Sequence, residues 1–157
     1  GGVNFAPADV SEIVREVVER LRLLAEEKGA AVTVEAPGSC IAVCDRQLIS
    51  SAVSNLLLNA IRHSGSDEVL VSVSASGNSV SIAVEDRGVG IPPEDRERVF
   101  DRFFRVDHSR DSGTGGTGLG LAIVRGIAIL HGGSVTLDGV EPSGCRFVLT
   151  IQSHNMV

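Results

Sequence analysis

The sequence predicts an α+β domain, a two-layer α/β sandwich in which three helices cover one face of a mixed, mainly antiparallel sheet of about five strands. Apolar residues recur at helical spacing in three segments, and segments of alternating apolar and polar residues lie between them. Tight turns rather than crossover helices join most of these strands, which favours antiparallel pairing. The 157 residues suit one domain, residues 1–157, with residues 1–8 expected to be a linker or a cloning remnant.

Two helices and two short strands are predicted in the N-terminal part of the chain. A helical pattern begins after Asp9 or Ser11, either of which could cap it, and Gly29 ends it. Asp45 caps a second helix that runs to about His63. The strands are predicted at residues 32–35 and 41–44.

A β-hairpin is predicted around Gly77-Asn78, a pair that is typical of two-residue turns. Apolar residues alternate with small polar ones on both sides, at positions 69, 71, 73, 80, 82 and 84. Because side chains alternate between the faces of a strand, Asp86 lies in phase with this apolar set and faces the helices. A carboxylate at the end of a buried face needs a polar partner.

A long lid is predicted at residues 91–117, mostly irregular with one or two short helical turns. A third helix follows at residues 119–130 and ends at Gly132-Gly133. The last two strands are predicted at residues 134–137 and 146–151, with turns near Asp138-Gly139 and Pro142-Ser143-Gly144.

The composition excludes several classes of function. A net charge of −6 and a pI near 5.1 argue against nucleic acid as a partner and against direct contact with an anionic membrane. The three cysteines lack the spacing of a zinc site or a disulfide framework, so buried reduced thiols are expected. No apolar stretch reaches the ~20 residues of a membrane span. The Walker phosphate-binding motif is absent, which excludes a Walker-type NTPase.

Asn55 and Asn59 are the first candidate binding residues. Four residues apart on a helix, they lie about 40° apart around its axis and face the same side. Among apolar neighbours they need hydrogen-bond partners or a hard cation such as Mg²⁺, although two core asparagines that tie down loops would explain them equally well. Arg62 and His63 follow and could reach a phosphate, or simply form an exposed helix end.

The segment Asp86-Arg87-Gly88-Val89-Gly90 is the second candidate. Its carboxylate could accept a hydrogen bond from the exocyclic amine of adenine, and its glycines would let a base approach the backbone. A turn after a strand explains the same residues without a ligand.

A glycine-rich stretch at residues 113–120 is the third candidate. It contains G-x-G-x-x-G, with Asp138 twenty residues beyond Gly118, but polar and charged residues precede it, whereas a dinucleotide fingerprint must follow a buried strand. The stretch opens directly into the third helix, whose N-terminus offers free amides to phosphate.

Four motifs, in this order, resemble the asparagine, first glycine, phenylalanine and second glycine boxes of sensor histidine kinases. They lie at residues 55–60, 86–91, 100–105 and 116–121. The resemblance covers nearly the whole chain and implies the Bergerat ATP-binding fold, which is shared with gyrase. It also implies the ATP-binding catalytic domain of a two-component kinase.

The resemblance implies ATP and Mg²⁺ as ligands and assigns roles to individual residues. Asn59 would coordinate Mg²⁺ with help from Asn55, Arg62 would join them in catalysis, and Asp86 would hold the adenine amine. The other implied contacts are Gly88, Gly90 and Ile91 at the adenine, Arg62, His63 and Arg105 at phosphate or ribose, and Thr117, Gly118, Leu119 and Gly120 in the lid and helix. Phe100, Phe103 and Phe104 would pack the lid or dock a partner.

The ATPases of this superfamily carry a general-base glutamate at the position that Asn55 occupies here. An amide cannot accept a proton from water at neutral pH, so ATP hydrolysis should be slow. Transfer of the phosphoryl group to a better-placed nucleophile is still possible. None of the four histidines lies in the sequence context of an acceptor histidine. The resemblance therefore implies an acceptor on a separate dimerisation domain, a homodimeric full-length protein, a cognate response regulator, and a cytoplasmic location as part of a membrane-bound sensor.

Two other classes of function stay open, a different enzyme and a binding module. The chain could be a Bergerat ATPase or an anti-sigma serine kinase, which rapid hydrolysis or phosphorylation of a serine would reveal. It could also be a binding module with a degenerate site, which calorimetry with ATP and Mg²⁺ would reveal.

Overall fold

A computed structural model of the chain describes residues 2–63, 65–102, 104 and 120–153, and for His63 the backbone alone. The helices are α1 (Val10–Glu27), α2 (Arg46–His63) and α3 (Gly120–Leu130). The strands are β1 (Ala6–Asp9), β2 (Ala31–Glu35), β3 (Ile41–Cys44), β4 (Glu68–Ser76), β5 (Ser79–Asp86), β6 (Ser134–Gly139) and β7 (Cys145–Gln152). The α+β sandwich expected from the sequence is confirmed.

The main sheet has five strands in the order β2-β4-β5-β7-β6. Strands β2 and β4 are parallel, and the other neighbours are antiparallel, so the sheet is mixed as expected. Strands β2 and β3 follow one another in sequence but do not pair, because β3 pairs with β1 in a separate two-stranded sheet.

The three helices pack on the main sheet. Helix α1 packs against β2 and β4, α2 packs against β5, and α3 packs against β6 and β7, with α2 in contact with both other helices. The inward positions of β4 and β5 form the core, and Val71, Ile82 and Val84 are fully buried. Helix α2 therefore lies at the centre of the helical layer, where its residues can meet both β5 and α3.

Side-chain caps fix where the first two helices begin. Asp9 Oδ1 accepts hydrogen bonds from the backbone N–H of Ser11 at 3.0 Å and of Glu12 at 3.4 Å, so Asp9 rather than Ser11 caps α1. Asp45 Oδ1 accepts from Leu48 N at 3.0 Å at the start of α2. Both helix starts agree with the sequence expectation.

The β4–β5 hairpin forms around the expected two-residue turn, where Ser76 pairs with Ser79 and Gly77 has a positive φ of 60°. At the other end of the hairpin, Asp86 pairs with Val69. Asp86 faces the core and is 2 % exposed, as its phase along β5 predicted.

Two stretches differ from the sequence expectation. Residues 6–9, expected to be mostly linker, form β1 by pairing with β3. The turn expected near Asp138-Gly139 is wrong, because both residues continue β6 by pairing with Arg146 and Cys145. The turn expected at residues 142–144 is confirmed, because these residues connect β6 to β7.

The start of the predicted lid contains two 3₁₀ helices, Pro93–Asp95 and Arg98–Phe100. Most of the remaining lid, residues 103 and 105–117, lies outside the described residues. Within the described ranges, no helix combines the length and the hydropathy that a membrane span requires.

Candidate functional site

Asp86 is held at the end of β5 by backbone donors from two different segments. Its Oδ1 accepts hydrogen bonds from Gly88 N at 2.9 Å and Cys145 N at 3.3 Å. Burial raises the pKa of Asp86 above its ordinary value, against the opposing effect of these two N–H groups. Within the described part of the chain, Oδ2 has no hydrogen-bond partner. One carboxylate oxygen thus orders the protein, and the other can still accept from a ligand.

The glycine loop after Asp86 packs backbone to backbone against the turn between β6 and β7. A β-carbon on Gly144, whose φ is +135°, would clash with the carbonyl oxygen of Asp86. A β-carbon on Gly90, whose φ is +77°, would lie 3.4 Å from Gly144 O. Ser143 Oγ donates to Gly88 O at 2.8 Å. Only residues without side chains allow these two turns to approach so closely.

Sequence reasoning missed several residues that fix Asp86 and the loop after it. Gly144 and the backbone N–H of Cys145 reach Asp86, and Ser143 fixes Gly88. Ser66, in the loop after α2, accepts from Arg87 N through its Oγ at 3.0 Å. The only available signal was strand register: if β7 pairs with β5, the residues before Arg146 must lie beside the end of β5.

The two asparagines project from α2 and are both half-buried, but their amides have different surroundings. Asn55 Nδ2 donates to Ser51 O at 2.9 Å, and a β-carbon on Gly120 would lie 3.1 Å from Asn55 Oδ1. Asn55 is thus packed against the first residue of α3. Asn59 has no hydrogen-bond partner within the described residues.

The remaining predicted site residues divide by where they lie. Gly88 is buried, Ile91 is half-buried with its carbonyl accepting from Arg96 Nε at 3.1 Å, and Arg62 is exposed at the end of α2. His63 is the last residue of α2, and its side chain is not described. Arg105, Thr117, Gly118 and Leu119 lie outside the described residues.

A conventional metal site is absent from the described ranges, where no cluster of three or more His, Cys, Asp or Glu side chains could hold a cation. The amide oxygens of Asn55 and Asn59 are the candidate donors. A single amide oxygen suits Mg²⁺, because this ion keeps several waters and takes phosphate oxygens as further ligands.

The first phenylalanine of the predicted lid is an anchor to the sheet. Phe100 is 5 % exposed and contacts Phe147 of β7 edge to face, with ring centroids 6.0 Å apart. Phe104 is half-buried beneath the guanidinium of Arg98, which lies 4.7 Å from the ring centroid. Phe103 lies outside the described residues. For Phe100, therefore, lid packing is the role that the structure supports.

All three cysteines are free and buried, as expected. Burial raises the pKa of the Cys145 thiol to about 11, so this thiol stays protonated at neutral pH. Beside Asp86, the contribution of Cys145 is its backbone N–H.

An open cavity of about 470 Å³ lies between the glycine loop and the β6–β7 turn. Its lining residues are Val89–Pro92, Arg96 and residues 139–144. It contains Gly90 and Ile91 but not Asp86, Asn55 or Asn59. The polar groups that could bind a nucleotide therefore do not line this cavity.

Comparison with known families gives one strong match. The model of the family described as histidine kinase-, DNA gyrase B- and HSP90-like ATPase matches residues 44–155. Among curated proteins, the sensor-like histidine kinase SenX3 of Mycolicibacterium smegmatis is 43% identical over 147 residues, which are 93% of this chain and 38% of that protein. The sensor protein RstB of Escherichia coli is 41% identical over 89% of this chain and 29% of its own length. The chain therefore spans less than two-fifths of these relatives.

Solved structures give the same picture of the fold. A mycobacterial sensor histidine kinase, MprB, superposes with a TM-score of 0.81 at 29% identity and covers 98% of this chain and 100% of its own. The ATP-binding domain of PrrB from Mycobacterium tuberculosis superposes with a TM-score of 0.79 at 28% identity, over 96% of this chain and 98% of its own. Full-length ShkA, solved with AMPPNP, gives a TM-score of 0.85 at 28% identity, over 98% of this chain and 32% of its own.

Proposed function

The chain belongs to the histidine kinase-, DNA gyrase B- and HSP90-like ATPase family, as an ATP-binding catalytic domain of the histidine kinase type. We propose that it binds Mg²⁺-ATP and phosphorylates a histidine on a separate dimerisation domain. The observation that carries this proposal is the buried Asp86, with Oδ1 held by two backbone N–H groups and Oδ2 left without a partner in the described residues. A carboxylate oxygen that has no protein partner in the described residues is well suited to accept a hydrogen bond from a ligand.

Asp86 is the proposed adenine contact. An ionised carboxylate only accepts hydrogen bonds, and the exocyclic amine of adenine only donates them at neutral pH. Guanine presents a carbonyl oxygen at the same edge, which would face the carboxylate acceptor to acceptor. Gly88, Gly90 and Ile91 complete this side, where the close packing of glycine backbones leaves room for a flat base.

Asn59 is the proposed metal ligand. Its side chain is half-buried and has no hydrogen-bond partner in the described residues, whereas Asn55 Nδ2 donates to Ser51 O and Asn55 Oδ1 lies close to Gly120. Asn59 would therefore be the principal ligand and Asn55 would position it against α3. When bound, Mg²⁺ neutralises charge on the β- and γ-phosphates.

The phosphate side would be completed by residues assigned through family resemblance. We propose Arg62, His63 and Arg105 as phosphate or ribose contacts, and Thr117, Gly118, Leu119 and Gly120 as backbone donors from the lid and the start of α3. Arg62 has the exposed position at the end of α2 that such a contact needs. Gly120 begins α3 beside Asn55, so helix-terminal N–H groups lie next to the asparagine pair.

The proposed reaction is transfer to histidine rather than to water. An imidazole nitrogen attacks the γ-phosphorus, a P–N bond forms, and the bond to the bridging oxygen breaks so that ADP leaves with that electron pair. Asn55 cannot act as a general base toward water, so the chain does not favour the competing hydrolysis. The domain contributes binding and orientation, which supply most of the catalysis in phosphoryl transfer.

The acceptor would come from outside this chain, as part of a homodimeric parent protein that also phosphorylates a response regulator. Helix α3 supports docking of such a domain, because its exposed side carries Ile123, Gly126, Ile129 and Leu130, with Ile129 66 % exposed. From the family resemblance we also propose a membrane-bound parent protein with this domain in the cytoplasm.

Calorimetry with ATP and Mg²⁺ tests the proposal. We expect binding by the unaltered domain, a marked loss in Asp86→Asn, and no loss in Asp138→Asn, a matched change at an exposed carboxylate of β6. Equal affinity in Asp86→Asn and the unaltered domain would show that the adenine contact is assigned wrongly. No binding by any of the three would favour a degenerate binding module.

A further inference from the structure

A buried polar cluster lies at the end of the α2–α3 pair that is remote from the proposed nucleotide site. Its members are Asp45, which caps α2, and His131, which follows α3; they are 8 % and 0 % exposed. Asp45 N lies 3.0 Å from His131 Nε2, and His131 Nδ1 lies 2.8 Å from Ile127 O. Because a backbone N–H can only donate, Nε2 is the acceptor and Nδ1 carries the proton. His131 thus joins the start of α2 to the last turn of α3.

The same cluster receives the N-terminal segment of the chain. Asn4 N donates to Asp45 Oδ2 at 2.8 Å, while the other oxygen of that carboxylate caps α2 at Leu48. The ring of Phe5 meets His131 edge to face, with ring centroids 5.2 Å apart. Strand β1 follows at once and pairs with β3. A single carboxylate and a single imidazole therefore hold the segment and both helices together.

The two helices run antiparallel. Asp45, just before α2, meets His131, just after α3, whereas Asn55, halfway along α2, lies close to Gly120 at the start of α3. Ten residues of helix separate Asp45 from Asn55, which is a rise of about 15 Å. A change in how α3 rests on Asp45 would shift the helix as a rigid rod and would move Gly120 relative to the asparagines.

We propose that Asp45 and His131 are positioning residues for nucleotide binding, and that docking of the N-terminal segment Asn4–Phe5 against them strengthens the binding of Mg²⁺-ATP. This inference rests on the proposed function and adds a regulatory input to it. A conformational change on the N-terminal side of the segment in the parent protein would alter this docking and thereby the affinity for Mg²⁺-ATP. Coupling between two sites is reciprocal, so Mg²⁺-ATP would in turn hold the segment in place by the same factor.

The test compares substitutions at Phe5 with a matched change elsewhere. Phe5→Ala removes the ring that contacts His131 and leaves every hydrogen bond of Asp45 in place. We expect about a fivefold rise in the Kd for Mg²⁺-ATP. Phe5→Leu, which keeps an apolar contact, should restore most of the affinity. Val73→Ala is the control, because Val73 is a buried residue of β4 near the Gly77-Asn78 turn, and its loss should leave the Kd unchanged.

Hydrogen exchange supplies a second readout that a purely structural role would not move. In the unaltered domain, saturating Mg²⁺-ATP should slow exchange of the Asn4 and Asp45 amides about fivefold, matching the change in Kd. No slowing would overturn the inference even if Phe5→Ala failed to fold.

Three other results would overturn it. One is faster exchange at Asn4 in Phe5→Ala with an unchanged Kd, because the segment would then be released without consequence. Another is an equal loss of affinity in Val73→Ala, which would assign the effect to general stability. The third is absence of ATP binding by the unaltered domain, which would also overturn the proposed function; the first two leave that function intact.

Discussion

The two sides of the candidate nucleotide site are built in different ways. On the Asp86 side, a buried carboxylate is fixed by backbone donors from the glycine loop and from β7, and glycine backbones pack directly on one another. On the asparagine side, half-buried amides project from α2, and one of them has no partner within the described residues. In the proposed function, the first side recognises the base through a carboxylate fixed by the backbone, whereas the second side provides amides that a metal and phosphates would complete. Substitutions on the Asp86 side should therefore weaken nucleotide binding, whereas substitutions on the asparagine side should mainly slow phosphoryl transfer.

The largest effect is expected for Asn59→Ala. Loss of the proposed Mg²⁺ ligand should lower the rate of phosphoryl transfer at least about 100-fold, because charge on the transferring phosphate is no longer neutralised in place. ADP binding without Mg²⁺ should change little. Transfer rates and metal-free ADP titrations of the variant measure both. An equal loss in metal-free ADP binding would mean that Asn59 belongs to the recognition side instead.

Asp86→Asn should show the opposite combination of effects. ATP and metal-free ADP should both bind about 30-fold more weakly, since a hydrogen bond to a charged group contributes about 2 kcal/mol. The variant should nevertheless be at least as stable as the unaltered domain at neutral pH, because an amide oxygen can still accept from Gly88 N and Cys145 N.

The pH dependence of that stability difference follows from the raised pKa of Asp86. The folded protein holds this proton more tightly than the unfolded chain, so the stabilisation is fully present below the ordinary pKa of 3.8 and is lost as the pH rises through the raised value. As the pH rises above 3.8, the free energy of unfolding of Asp86→Asn should therefore increase relative to that of the unaltered domain. Chemical denaturation between pH 3 and 7 measures this, and a gap that narrows with rising pH would contradict the assignment of burial as the cause.

Gly144→Ala should damage the recognition side through the backbone. The added β-carbon would clash with Asp86 O at a positive φ, so we expect a loss of about 2 kcal/mol in the free energy of unfolding, together with weaker ADP binding. Gly38→Ala is the matched control, because a β-carbon there meets nothing within 4 Å and its φ is not positive. Denaturant titration compares the two, and equal stability would show that the turns can separate freely.

The smallest effect is expected for Gly120→Ala on the asparagine side. Alanine favours the helix over glycine by up to about 1 kcal/mol, which offsets the tight 3.1 Å approach to Asn55 Oδ1. Stability should change by less than about 1 kcal/mol, while ATP binding weakens about threefold through displacement of Asn55. Gly126→Ala, in open space on the same helix, should stabilise the domain without changing ATP affinity. A large loss of stability in Gly120→Ala would indicate that the asparagine side is as rigid as the Asp86 side.

The sequence predicted features that depend on local patterns. Asp9 and Asp45 as helix caps, the Gly77-Asn78 turn and the buried phase of Asp86 each follow from a few neighbouring residues. The family was also recognised from four short motifs, and the family match confirms it.

Features that depend on distant pairing were not predictable in the same way. Strand β1 exists because β3 is available beside it, and Asp138-Gly139 continues a strand because β7 supplies partners. The Cys145 N–H that holds Asp86 comes from 59 residues away, so no local pattern marks it. The difference between Asn55 and Asn59 depends on where α3 begins, which the sequence places only approximately.

Transfer to histidine is tested by following the γ-phosphoryl group of labelled ATP when this domain, Mg²⁺ and the proposed dimerisation domain are incubated together. Transfer to histidine predicts an acid-labile, base-stable phosphoprotein that forms much faster than inorganic phosphate is released, and its formation should be lost in Asn59→Ala. Rapid steady release of inorganic phosphate by this domain alone, without any acid-labile phosphoprotein, would contradict it and would identify the site as that of an ATPase.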